Sequence, residues 1–292
     1  TPPRVSAEAF KAGADGGAGC YTAPTMNGPS DAWTELRALL RLGLPAAGTQ
    51  LAAMLLGVVD TMMVGRLSTQ ALDAAALGHL WIFGTSIFAM GLLWGMDPLM
   101  SQAHGGNDGV KVARTLHAGL LLVLFMMPPL WWALAETEAV MLAFGQDPAL
   151  ARMAALYVDT QLYSMLPFLL YMALRQYLQA RGIVMPALWV MLVANVFNVV
   201  ANWALIFGNL GFEAQGLEGA ARATATTRTF TFFGLLAWVV LARLYDEAWV
   251  HPNRQSLSLE GVWAIVKLGL PIGLQYMLEG WAFQLSTLLA GR

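Results

Sequence analysis

The chain has 292 residues, 58% of them hydrophobic and only 12% charged, with a net charge of −2. A soluble domain carries about twice that charged fraction, which excludes a water-soluble globule, and the lack of a basic excess argues against a nucleic-acid partner. The single cysteine, Cys20, excludes an internal disulfide and a cysteine-rich metal site.

Residues 1–35 open the chain as a tail rich in Gly, Ala, Pro and Thr, without an apolar run, and are expected to be disordered. Seven apolar stretches come after it, at about 39–64, 77–100, 116–134, 153–178, 184–208, 222–242 and 263–290. Most reach the ~20 residues that cross about 30 Å of hydrocarbon. The predicted fold class is an all-α, polytopic transmembrane helix bundle. Pro45, Pro128, Pro129, Pro167 and Pro271 fall inside these stretches, which membrane helices tolerate because neighbours re-satisfy the freed backbone groups. Loops on one side gather Arg37, Arg41, Lys111, Arg114, Arg175, Arg181 and Arg243; the other side receives Arg66 and Arg152 with Glu136, Glu138 and Asp147. The positive-inside rule puts the first side, and the N-terminus, in the cytoplasm. The polar stretch 244–262 is the expected hand-over between two bundles.

That division is suggested by a repeat. Residues 41–45 read RLGLP and run on to Gly65-Arg66; residues 267–271 read KLGLP and run on at the same spacing to Gly291-Arg292. Duplicated bundles around a central site are a construction of secondary transporters. The expectation is therefore a six-helix lobe at 36–243 and, at 263–292, the first helix of a second lobe.

Polar groups inside apolar stretches are functional candidates. Asp60 follows Pro45 by 15 residues, about 22 Å of helix. Keeping it ionised in lipid costs about 3 kcal/mol, and protonating a free aspartate at neutral pH about 4 kcal/mol. With these costs so close, small changes around it can switch its charge, as a coupling site requires. The alternative is an aspartate at a helix end reaching the interface. Asn195, Asn198 and Asn202 are spaced i+3 and then i+4, on one helical face. That face serves equally as interhelical glue or as a cavity lining beside Asp60. A carboxylate with amide oxygens suits a hard cation. Thr224 is a weaker candidate of the same kind. Glu279 lies eight residues past Pro271, about 12 Å into its span. Arg175 and Arg228 flank spans as anchors or ion pairs. Methionines such as Met54 suit an adaptable apolar lining, or are lipid-facing filler. The four histidines show no metal-ligand spacing and no phosphate-cradling Gly-rich loop is present.

In order, the chain carries LGLP, Asp60-Thr61-Met62-Met63-Val64-Gly65, GMDPLMSQAHGGND (95–108), LRQYLQARG (174–182), NVFNVVANWALIFG (195–208), GLEGAARAT (216–224) and LGLPIGLQYMLEGWAF (268–283). This ordered set resembles the multidrug and toxic compound extrusion (MATE) family, in its bacterial NorM-like branch, over about residues 36–292. The resemblance implies a twelve-helix, two-lobe antiporter of the inner membrane, a monomer and not an enzyme. It needs no cofactor and expels cationic, lipophilic compounds in exchange for Na+ or H+. By the same resemblance Asp60, Asn198 and Thr224 match the N-lobe coupling site, with Na+ binding at Asp60 and Asn198 or at Glu279, which matches the C-lobe glutamate. Asn202 stands where many members have an aspartate, leaving one carboxylate where they have two. Asn195 and Met54 are assigned to the substrate cavity. The sequence would then hold one lobe and a single helix of the other, and would not transport by itself. The alternative is a lipid-linked saccharide flippase of related architecture, which needs basic residues such as Arg175 and Arg228 in the cleft.

Overall fold

The structure, a computed structural model, describes residues 29–245 and 258–290, with side chains described as far as Ala282. The expected disorder of the first 28 residues, most of the hand-over loop, and Gly291-Arg292 lie outside the described residues. The described chain is helical: α1 (Pro29–Val64), α2 (Thr69–Trp94), α3 (Met96–Gly105), α4 (Gly109–Ala135), α5 (Thr137–Ala143), α6 (Pro148–Gln161), α7 (Met165–Ala180), α8 (Met185–Phe207), α9 (Gly216–Leu241) and α10 (Leu259–Ala290). The chain divides into two compact units at Arg41–Leu42, and the core lies in the unit from Leu42 onward.

Local chemistry sets the helix ends. The Ser68 hydroxyl accepts from the Ala71 amide at 3.1 Å and starts α2. Asp108 accepts from the Lys111 amide at 2.9 Å and starts α4. Asp147 caps α6 with Pro148 in its first turn. Each cap satisfies an amide that has no partner within the helix.

Among the described residues, six helices are long and apolar enough to cross a membrane: Leu39–Val64, Thr69–Gly105, Gly109–Ala135, Met185–Phe207, Gly216–Leu241 and Leu259–Ala282. The fourth expected span, 153–178, is not one continuous α-helix. α6 and α7 meet through a 3-10 turn at Leu162–Ser164. Pro167 cannot donate to the Tyr163 carbonyl, and the tighter turn absorbs that loss. The second stretch is longer than expected and breaks at Gly95, just ahead of Pro98.

The core is built chiefly from α2, α3, α4, α6, α7 and α9, with Leu93, Met96, Met100, Leu134, Met165, Tyr171, Tyr177, Leu178 and Leu235 almost fully enclosed. α10 runs against α2. The two helices cross through glycines. A Cβ on Gly91 would stand 2.3 Å from the Gly273 Cα, and one on Gly269 would stand 2.2 Å from the Leu92 carbonyl oxygen. This is close small-residue packing of the kind that holds helices together in lipid, where no hydrophobic drive acts between them. Trp94 and Tyr276 meet edge to face beside the crossing, with ring centres 4.5 Å apart.

From Leu42 onward α1 differs from these. Leu51, Met54, Leu55, Val58 and Met62 are exposed, and its inward stripe is narrow: Pro45, Thr49, Ala52, Asp60 and Val64. α8 likewise exposes Val193, Val196, Val200 and Trp203.

Candidate functional site

The site forms where α1, α8 and α9 meet. α8 and α9 form a close antiparallel pair. A Cβ on Gly219 would lie 2.4 Å from the Leu205 carbonyl oxygen, so only glycine allows this approach. The Gln215 amide donates to that same carbonyl at 2.9 Å, and Phe197 stacks on Phe230 with centres 4.8 Å apart. The pairing turns the asparagine face of α8 toward the threonine face of α9.

Asp60 is buried between them. Asn202 Nδ2 donates to Asp60 Oδ1 at 2.5 Å, and Thr224 Oγ1 donates to Asp60 Oδ2 at 2.7 Å. Asn202 Nδ2 also donates to Asn198 Oδ1 at 3.1 Å, and Asn198 Nδ2 reaches Thr227 Oγ1 at 3.5 Å. Asn198, Asn202 and Thr227 have no solvent exposure. One carboxylate is thus held by side chains from two other helices, in the arrangement by which a buried charge is tolerated.

Thr224 has a second acceptor, the Ala220 carbonyl oxygen at 3.1 Å. Its one hydroxyl hydrogen serves either oxygen. With Asp60 ionised, Thr224 donates to the carboxylate. With Asp60 neutral, the acid donates to Thr224 and the threonine turns to Ala220. Both charge states of Asp60 therefore have a complete set of partners on this side. Asn202 Oδ1 is buried with no hydrogen-bond partner among the described residues. With the carboxylate, the amide oxygens and the Thr224 and Thr227 hydroxyls, it makes an all-oxygen donor set of the type a hard monovalent cation takes. No cluster of three or more His, Cys, Asp or Glu side chains occurs among the described residues.

The structure thus gathers Asp60, Asn198, Asn202 and Thr224, and adds Thr227, three residues beyond Thr224. Its signal was in the sequence: Thr224, Thr227 and Thr231 share a face of α9, and each bonds back to the carbonyl four residues earlier. Asn195 does not join the cluster. Its Nδ2 donates to the Ala52 and Met191 carbonyls, both at 2.9 Å, so it fastens α8 to α1. Met54 is 59% exposed and sits about 120° around the helix from Asp60, outside the cluster. Glu279 is exposed on α10, whose described side chains supply nothing to the cluster. Arg228 does not flank a span. It lies within α9, its guanidinium carbon 5.2 Å over the Phe168 ring.

A family model described as MatE matches residues 45–204. A probable multidrug resistance protein NorM of Mesorhizobium japonicum is 34% identical over 266 residues, covering 90% of this chain and 57% of its own length. Multidrug and toxin extrusion protein 1 of Xenopus tropicalis is 32% identical over 264 residues, covering 90% of this chain and 45% of its own. The chain spans about half the length of the curated relatives it matches. Among solved structures, the eukaryotic MATE transporter AtDTX14 superposes with a TM-score of 0.80 at 21% identity, covering 89% of this chain and 57% of that one. A MOP superfamily transporter from Pyrococcus furiosus gives a TM-score of 0.70 at 22% identity, covering 82% and 52%.

Proposed function

The chain belongs to the MatE family, and from that premise we propose that it works in a secondary antiporter that exports small cationic, lipophilic compounds in exchange for H+ or Na+. The observation that carries this reading is Asp60. It is a buried carboxylate whose partners come from α8 and α9, on a helix otherwise largely exposed. The Asp60 contacts and the Asn195–Ala52 hydrogen bond are polar links between α1 and α8–α9.

The chemistry follows from those contacts. Ionised Asp60 attracts a cationic compound in a site that oil makes electrostatically strong. Taking up H+ or Na+ cancels that charge, and the compound loses its counter-ion. The same event changes how α1 is held: on protonation the Asp60–Thr224 hydrogen bond reverses direction as the Thr224 hydrogen turns toward Ala220. One binding event thus alters both affinity and helix attachment, the differential interaction that coupling requires. The protein is a carrier, not an enzyme, and Glu279 is a second coupling acid on α10. The basic loops support a cytoplasmic N-terminus in a bacterial inner membrane, and the whole protein is a monomer. A lipid-linked saccharide flippase is the weaker reading, because its relatives at more than 30% identity carry multidrug names.

The test is accumulation of ethidium in cells that lack their own efflux pumps and express the complete gene. Asp60→Asn and Glu279→Gln should each raise accumulation to the level of empty cells while the protein remains in the membrane fraction. Export at the parental rate by both variants rejects the reading.

A further inference from the structure

Arg228 is a positive charge within the bundle that the coupling scheme does not use. It lies twelve residues into α9, about 18 Å along the axis, and four residues beyond Thr224. Its NH1 is cut off from solvent and finds no hydrogen-bond partner among the described residues. The charged and titratable groups in its electrostatic reach are Asp60 on α1, His79 on α2 and Tyr157 on α6. α7 offers the Phe168 ring, and α8 carries no charged side chain. Among the described residues the ion pairs are Arg152–Glu138 and Arg222–Glu218; Arg228 stands one helical turn beyond Thr224, which donates to Asp60, and is not paired to that carboxylate.

We propose that Arg228 is a tethered cation that stands in for sodium at the Asp60 cluster and leaves the exchange sodium-independent. The inference rests on the antiporter reading and adds the identity of the coupling ion. With Asp60 ionised, the cluster and Arg228 sum to zero. A sodium ion would raise that to +1 inside the bundle. Like charges repel strongly where the dielectric is low, and this repulsion lowers sodium affinity. Sodium must also collect several oxygens, and both Asp60 oxygens already accept from Asn202 and Thr224. A proton meets the same repulsion, but it forms a covalent O–H bond, needs no shell of ligands, and has Thr224 ready to accept from it. A guanidinium suits the part. It stays charged, is weakly hydrated, and rests on an aromatic face when partners are few.

The test is sodium binding, read by tryptophan fluorescence on the purified full-length protein in nanodiscs. Sodium replaces choline at constant ionic strength and no drug is present. The wild type and Arg228→Lys should give no saturable response. Arg228→Met and Arg228→Gln should gain one, with sodium affinity at least 10-fold above the wild type, and adding Asp60→Asn should abolish it. A saturable wild-type response that neither neutral variant strengthens overturns the proposal, as does the absence of a gain in a folded neutral variant. Should neither neutral variant fold, the wild type decides. Its ethidium efflux under a fixed pH gradient should be unchanged when choline replaces sodium, and a sodium requirement overturns the proposal. Because binding is read without drug, these results stand apart from the efflux test of Asp60.

Discussion

Replacing Asn202 with alanine removes the amide that donates to Asp60 Oδ1 at 2.5 Å and to Asn198 Oδ1 at 3.1 Å. The first of these is a buried hydrogen bond to a charged acceptor, which contributes about 2–3 kcal/mol to the ionised form of Asp60. If ionised Asp60 is what holds a cationic compound, Asn202→Ala should weaken binding of such a compound by roughly 30- to 150-fold. Thr224→Val should have a smaller effect, near 10-fold, because the hydroxyl is shared with the Ala220 carbonyl and contributes about 1.5 kcal/mol. Asn198 bears on Asp60 chiefly through Asn202, so Asn198→Ala should have less effect than either. The assay is fluorescence polarisation of ethidium against purified protein in nanodiscs. The decisive arm is a double-mutant cycle: on an Asp60→Asn background, Asn202→Ala should change ethidium affinity less than twofold. An equal loss on both backgrounds, or the reverse order of the three variants, refutes the assignment of Asn202 as the principal support of the charge.

Asn195→Ala removes the donor to the Ala52 carbonyl; it should cost about 1 kcal/mol of stability, read as a lower Tm, while ethidium affinity stays within twofold. Lost affinity at an unchanged Tm would instead support Asn195 as a lining of the substrate cavity. Gly269→Leu sets a side chain against the Leu92 backbone, which cannot yield as a side-chain tip would. It should lower Tm by an amount corresponding to about 1–3 kcal/mol, whereas Gly43→Leu, with nothing within 4 Å of its Cβ, should leave Tm unchanged.

The membrane class and the helical order were legible from composition and apolar run length, because a backbone in hydrocarbon has few ways to satisfy its own hydrogen bonds. The break at Leu162–Ser164 was not legible, since Pro167 alone does not say whether a helix kinks or stops. Asp60 stood out as a charge in an apolar run, and the spacing of Asn195, Asn198 and Asn202 put them on one face. Helical periodicity fixes direction around a single axis and carries no information on which neighbour lies opposite. The sequence by itself therefore determined which groups could not face lipid. Only the tertiary structure decided that Asn202 reaches Asp60 while Asn195 ends on a backbone carbonyl, that Thr227 completes the cluster, and that Arg228 sits within reach of it. Those outcomes depend on how closely α8 and α9 approach at Gly219 and on where α1 lies across them, distances set by packing between helices and not by spacing within one.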